Sequence, residues 1–318
     1  MVDRPPGNEE FAPSDTWFIG DGFPSPKLYA EVCRRGFSVI RPLIWNPDPA
    51  LDAYGWNYGA ARPPSYAAYG RLRALLALGE SAGLRPRRAL EVAAGDASLS
   101  ACLQQTGCEV TANDLREDDL KQAVANFRNG ARIRVLPGNV FDLDPAETGC
   151  FDLVIACEII EHVAHPIEFL LHLKKFLTPG GHVLLTTPNG AYFRSKLRTY
   201  SQVENFTALE SEQFKPDADG HLFLFTPAEL RQAASQAGFN VDRLFVWGTP
   251  FISGESGFRV LSGILPMNVA YFLERFSQRL STGIRHRIAN SISAILSPAA
   301  YRRADAALPI FHHTVFNL

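Results

Sequence analysis

Two glutamates and a histidine stand close together in the stretch ACEIIEHVAHP, Ala156 to Pro166. Glu158, Glu161 and His162 follow one another at spacings that an α-helix brings onto a single face. Three chemistries suit such a set. A solvated polar face needs nothing more, with Glu158 capping the helix where negative charge is favoured. A proton-transfer arrangement would use Glu161 and His162 as catalytic groups. A divalent cation would take carboxylate oxygens and imidazole nitrogens as ligands. A later histidine, His221 in DADGHLFLFTPAEL, adds a second imidazole. Glu158, Glu161, His162 and His221 together suit Mg²⁺, Mn²⁺, Fe²⁺ or Zn²⁺, and ligand type alone does not choose among them. His165, His172 and His182 have no place in that set. They are expected on a loop, a helix surface and a strand edge.

The segments that must position these groups alternate in character. RALEVAA is a short apolar run leading to Gly95, followed by helical ASLSACLQQTG. EVTANDL, DDLKQAVANFRNG, IRVLPGNVFDL, FDLVIACE, HPIEFLLHLKKFL and HVLLTTPN continue the alternation. Strands alternating with helices predict an α/β fold, with a mostly parallel sheet covered on both faces. In TPAELRQAASQAG, Thr226 is expected as N-cap, Pro227 at the first helical position and Glu229 completing a capping box. FNVDRLFVWG reads as a further strand. Residues 1–65 are rich in Pro, Gly and aromatics, including Trp45, Trp56 and Tyr58. They read as an extension and candidate substrate lid, with a short helix near Leu28–Arg35. The core is expected over 66–250, opening on a helix from Tyr66 to Glu80. A helical insertion is expected over 251–305, and HHTVFNL, within 306–318, as a closing strand.

Ligands of open α/β sheets bind beyond the carboxyl ends of the strands. The first such end is LEVAAGDAS, with Glu91 on the strand and small residues Ala93, Ala94, Gly95 and Ala97 that let a ligand approach the backbone. At the end of the second strand, Asp114 offers a carboxylate to the two hydroxyls of a ribose. The turn is not GxGxxG and lacks the lysine of a phosphate-binding loop. Taken alone, this pair suits any adenosine-containing cofactor.

A formal net charge of −2 gives no general pull toward polyanions, which argues against long nucleic acid as partner. Lys174, Lys175, Arg194, Lys196 and Arg198 are the candidates for a local basic surface. Five cysteines without a CxxC pair fit a reducing cytoplasm. The polar, proline-rich MVDRPPGNEEFAPSD is not a signal peptide, and no apolar run reaches the length of a membrane span. A homodimer is compatible with all of this.

The order of motifs from about Arg88 to Gly248 resembles the class I S-adenosylmethionine-dependent methyltransferases. LEVAAGDAS stands where that family has an acid and a glycine-rich turn, with two usual glycines replaced by alanine. The resemblance implies a Rossmann-like, doubly wound, mostly parallel seven-stranded sheet and S-adenosylmethionine as cofactor. It places Glu91, Ala93, Gly95 and Asp114 at the cofactor, Asn139 and Val140 at the adenine, and Cys157 and Glu158 beside the methionine end. Around EHV and PGG the chain is similar to the ubiquinone-pathway O-methyltransferases. ExxEH with a downstream histidine resembles the metal site of the small-RNA 3′-terminal 2′-O-methyltransferases, which implies Glu158, Glu161, His162 and His221 as four ligands. The implied acceptor is a small molecule or saccharide with vicinal hydroxyls. His162 is the base if no metal binds. The rival expectations are a nicotinamide-dependent oxidoreductase, with Asp114 on the NAD ribose, and a non-catalytic cofactor-binding scaffold.

Overall fold

The computed structural model describes residues 84–95, 97–104, 107–115, 117–125, 133–213, 221–250, 276–277 and 279–299, with residue 273 and two short strands nearer the start of the chain. Those strands, β1 (Phe18–Gly20) and β2 (Ile40–Pro42), pair in parallel. The helices expected at Leu28–Arg35 and Tyr66–Glu80, and the aromatics Trp45, Trp56 and Tyr58, lie outside the described residues.

The core is a seven-stranded sheet. Its strands are β3 (Arg88–Val92), β4 (Glu109–Asp114), β5 (Ile133–Pro137), β6 (Phe151–Cys157), β7 (Leu177–Pro188), β8 (Phe239–Trp247) and β9 (Ser291–Pro298). The order across the sheet is β5-β4-β3-β6-β7-β9-β8, and only β9 runs against its neighbours. The chain steps outward from β3 to β5 and then returns to lay β6 against the other side of β3. This reversal of strand order opens a crevice at the carboxyl ends. The continuous apolar runs of the central strands follow from burial on both faces: Ala89, Leu90 and Leu153 to Ala156 have no exposed surface.

Helices α1 (Ser98–Gln104), α2 (Glu117–Ala125), α3 (Pro145–Thr148), α4 (Pro166–Lys174), α5 (Thr207–Glu210), α6 (Pro227–Gln236) and α7 (Thr282–Ile288) connect these strands. At α6 the expected capping box is present. The Glu229 N–H donates to Thr226 Oγ1 at 3.2 Å, and the Thr226 N–H donates to Glu229 Oε2 at 2.7 Å.

Two expectations are corrected. The stretch HRIANSISAILS, expected to be helical, is helical only to Ile288 and then becomes β9, with residues 291–296 all buried. A short apolar run has no polar stripe to reveal its period, and pairing with β7 on one side and β8 on the other decides the matter. The antiparallel place in the sheet is therefore filled by β9, while HHTVFNL lies outside the described residues. ExxEH, expected on an α-helix, instead begins at the bend just after β6 and ends in a 3₁₀ turn at Ile160–His162. Glu158 has a φ of 54°, which ends the strand in the left-handed region and keeps a helix from starting there. Among the described residues, no helix is long and apolar enough to cross a membrane.

β7 enters the sheet through TPGG. A Cβ on Gly181 would lie 3.0 Å from the carbonyl oxygens of both Phe151 and Thr178. Backbone held in a sheet has little freedom to retreat. Gly181→Ala is expected to cost roughly 1–3 kcal/mol in urea unfolding; an unchanged midpoint would show that the strand yields.

Candidate active site

At the carboxyl end of β3 the backbone turns through three left-handed residues, Ala93 (φ 54°), Gly95 (φ 56°) and Ala97 (φ 52°). Two of these are alanines, each strained by about 1–2 kcal/mol, a cost that glycine would avoid. The turn is fastened to the neighbouring strand: the Gly95 N–H donates to Asp114 Oδ2 at 2.8 Å. Ala93 and Asp114 line an open crevice, about 400 Å³ including the solvent space at its mouth, with Asn139, Val140, Phe141 and Ile159. A mostly apolar crevice with a few fixed polar groups is the usual form of a small-ligand site.

Four of the expected cofactor residues, Ala93, Asp114, Asn139 and Val140, thus come together in one pocket. Gly95 acts through its N–H on Asp114. Glu91 is buried and accepts a hydrogen bond from Ser100 Oγ, so it joins β3 to α1 beneath the turn and is not among the lining residues. Cys157 is half-buried at the end of β6 and also stands outside the lining. Asn139 Oδ1 accepts from the Phe141 N–H at 3.1 Å and caps the 3₁₀ turn Val140–Asp142. Asn113, at the end of β4, donates through Nδ2 to the carbonyls of Leu136 (2.8 Å) and Gly138 (2.9 Å), which fixes the loop after β5.

His172 departs from the helix surface expected for it. It is buried, because α4 turns the same face inward at Phe169 and Leu173, and the ring of Phe176, just past the helix, packs against it. Its Nε2 donates to the Val140 carbonyl at 2.6 Å, and its ring lies 5.2 Å from that of Phe141. Burial lowers its pKa; the bond to Val140 opposes this, Lys175 adds to it and Asp142 opposes it, leaving a net fall. His172 therefore supports two walls of the pocket from behind. Nothing in its spacing sets it apart in the sequence except its share of the Phe169 face.

The second cluster forms around Glu161, which has no exposed surface. Thr187 Oγ1, from the end of β7, donates to Glu161 Oε2 at 2.9 Å. The Leu222 N–H donates to the Glu161 carbonyl at 2.9 Å, which brings His221 alongside. His221 Nε2 lies 4.0 Å from Glu161 Oε1, and the rings of His221 and His162 meet edge to face at 4.9 Å. One ligand atom each from Glu161, His162 and His221 lie within 4.8 Å of one another, and Glu158 is outside that group. A single tetrahedral ion with ligands at about 2.0–2.2 Å holds neighbouring donors about 3.3–3.6 Å apart, so the imidazoles would close by up to about 1.5 Å. His162 is half-buried and His221 exposed, which leaves them room to do so. One buried carboxylate oxygen and two imidazole nitrogens fit a divalent transition ion.

The other histidines serve the scaffold. His165 caps α4 and lies 2.7 Å from Glu210, on the loop expected for it. His182 is half-buried in β7, 3.7 Å from Asp242. Thr187 and Ser100, partners of the two key glutamates, carry no local signal of these contacts in the sequence.

A family model described as a methyltransferase domain matches residues 64–244, more than half of the chain. A ubiquinone biosynthesis O-methyltransferase of Caulobacter sp. (strain K31) is 36% identical over 103 residues, 32% of this chain and 41% of that protein. One from Bordetella avium (strain 197N) is 33% identical over 107 residues, 33% of this chain and 44% of that protein. The chain thus spans about two fifths of the length of the curated relatives it matches. Among solved structures, magnesium protoporphyrin IX methyltransferase from Synechocystis PCC 6803 with bound SAH aligns at a TM-score of 0.46 and 14% identity, over 78% of this chain and 94% of that one. The methyltransferase domain of bacterial CtHen1-C aligns at 0.47 and 15% identity, over 73% and 100%.

The buried His172 makes stability depend on pH. With a folded pKa below the unfolded value of about 6.5, the unfolded ring takes up protons first as the pH drops. Its contribution is complete above pH ~6.5 and is lost as the pH falls from there toward the folded value. Urea midpoints are expected to decline in that window, and less steeply in His172→Gln, which can still donate to Val140. Identical pH profiles for the two proteins would contradict this.

Proposed function

Because this chain belongs to the methyltransferase domain family, we propose that it moves the methyl group of S-adenosylmethionine onto an oxygen of a small acceptor with two neighbouring hydroxyls, a catechol-like phenol or a saccharide. One observation carries the reading. Ile159 and Val163 line the Asp114 pocket and bracket the turn that holds Glu161 and His162. A cofactor crevice and a cluster suited to a hydroxyl acceptor therefore share one short stretch of backbone at one end of the sheet.

In this reading the Asp114 carboxylate, held by the Gly95 N–H, accepts from the ribose hydroxyls. Val140, Phe141 and Ile159 give the flat base its apolar walls, and Asn139 supplies polar contact at its edge. Ala93 and the turn after it let the ligand approach the backbone, with Glu91 and Ser100 fixing the turn from below. Cys157, at the end of β6, stands beside the methionine portion.

Glu161, His162 and His221 would hold a divalent cation, Mg²⁺, Mn²⁺, Fe²⁺ or Zn²⁺, with Glu158 as a fourth group that the loop would have to bring in. Such an ion supplies Lewis acidity toward an acceptor hydroxyl. The chain's own task is to hold the acceptor oxygen in line with the sulfonium methyl, since positioning is a large share of what such an enzyme contributes. An oxygen lone pair forms the new C–O bond, the S–CH₃ bond breaks, and S-adenosylhomocysteine leaves. His162, half-exposed beside the buried Glu161, takes up the hydroxyl proton where no ion is present. The ubiquinone biosynthesis O-methyltransferases among the relatives support oxygen as the acceptor atom. The oxidoreductase alternative is disfavoured by the turn VAAGDA, which is not GxGxxG.

Calorimetry is expected to give binding heat with S-adenosylhomocysteine and none with NAD, and Asp114→Ala should weaken the former at least about tenfold, the loss of a charged hydrogen-bond acceptor. Heat with NAD alone would overturn the reading. Methyl transfer to a panel of catechols and sugar diols, with each metal added, should vanish in Glu161→Ala and His221→Ala while their S-adenosylhomocysteine affinity stays unchanged. Full activity in the presence of a chelator would remove the metal and leave the cofactor site standing.

A further inference from the structure

Six large apolar side chains are exposed among the described residues, and three of them, Phe193 (54%), Leu197 (40%) and Ile284 (52%), belong to two segments that touch. One is the loop after β7 and the other is α7. The Phe193 N–H donates to the Arg287 carbonyl at 2.8 Å, and Asn189 Nδ2 donates to the carbonyls of His286 (2.7 Å) and Ala289 (2.6 Å). Loop and helix therefore present one surface. Ile284 lies one helical turn, about 5 Å, from Arg287.

The same segments are strongly basic. Residues 189–199 and 282–290 contain Arg194, Lys196, Arg198, Arg285 and Arg287 and no Asp or Glu, in a chain whose formal net charge is −2. Lys196 and Arg287 are exposed. The carboxylate nearest the end of the loop, Glu229, is engaged by Thr199, Ser201 and Thr226. The positive field reaches His286, whose pKa is lowered by burial and then by Arg285 and Arg231.

We propose that this loop–helix face binds the surface of a phospholipid bilayer rich in anionic lipid. Cations around exposed Phe, Leu and Ile match an interface where headgroup charge overlies acyl chains. Single-stranded nucleic acid would use the charge and an aromatic ring, but Leu197 and Ile284 would gain nothing from it. A two-fold contact between copies would set the cationic patch against itself. Attachment is peripheral, since no described helix is long and apolar enough to span. The face begins two residues after Thr187, which touches Glu161, so it lies at the end of the sheet that carries the site.

The test is sedimentation of the full chain with vesicles of phosphatidylcholine alone and with vesicles rich in phosphatidylglycerol, at low and high salt. Binding is expected to the second kind only and to weaken with salt. Lys196→Glu with Arg287→Glu should reduce it by about fivefold for each unit of positive charge removed. Phe193→Ser with Ile284→Ser should reduce it at least fivefold, and Leu197→Ser alone by a smaller factor, with thermal midpoints and S-adenosylhomocysteine affinity unchanged. If a double variant fails to fold, Leu197→Ser, on an exposed loop, decides. Absence of binding to anionic vesicles would overturn the proposal, as would equal binding to neutral ones or binding unaffected by the folded variants. RNA binding or self-association through this face, without vesicle binding, would overturn it as well.

Discussion

A carboxylate with no exposed surface ties together the end of the sheet that carries the candidate site. Burying Glu161 charged costs several kcal/mol unless partners or a cation compensate. Two separated parts of the chain meet the carboxylate: the Thr187 hydroxyl at the end of β7 donates to Oε2, and the imidazole of His221 lies 4.0 Å from Oε1. The backbone of the same residue accepts the Leu222 N–H. That bond seats the stretch from Leu222 to Phe225, whose four side chains are buried in the core. Tyr200 and Phe206 close around Phe223 and Phe225 in turn. Glu161 is thus both a chemical group and a fold anchor, so a variant there must be judged by a binding measurement as well as by activity.

The crevice beside Asp114 is built on the same plan. Its loops are held by polar side chains that reach backbone atoms of a neighbouring element: Asp114 to Gly95, Asn113 to Leu136 and Gly138, His172 to Val140. Such bonds fix loop position without filling the space above it, which leaves the crevice open to a ligand. Left-handed alanines at positions 93 and 97 carry strain at this turn. The surrounding strand–turn–helix packing, with Ala97 fully buried, sustains them.

Much of this was legible in the sequence, for identifiable reasons. The alternation of RALEV, EVTAND and FDLVIAC with amphipathic stretches reports strands buried on both faces, and the sheet follows. The place of Asp114 beside the turn was legible because acid, strand end and small-residue turn occur in order. Thr226, Pro227 and Glu229 signal their helix locally, and it forms as expected. What escaped depends on tertiary contact. SISAILSP carries no period that separates a buried strand from a buried helix, and its place between β7 and β8 decides it. Glu158, Glu161 and His162 have helical spacing, yet the left-handed φ at Glu158 breaks the helix before it starts. The role of His172 rests on a carbonyl 32 residues away, which no local pattern can announce.

In the proposed function, one sheet end holds both an adenosine crevice and an ion-binding acceptor site. The most direct measurement is a crystal structure of the full chain grown with S-adenosylhomocysteine and Mn²⁺, with anomalous scattering locating the ion. The ribose is expected on Asp114, the base against Val140 and Phe141, and an anomalous peak ligated by Glu161, His162 and His221. A nucleoside bound elsewhere, or well-ordered Mn²⁺ sites that leave those three side chains without an ion, would contradict it.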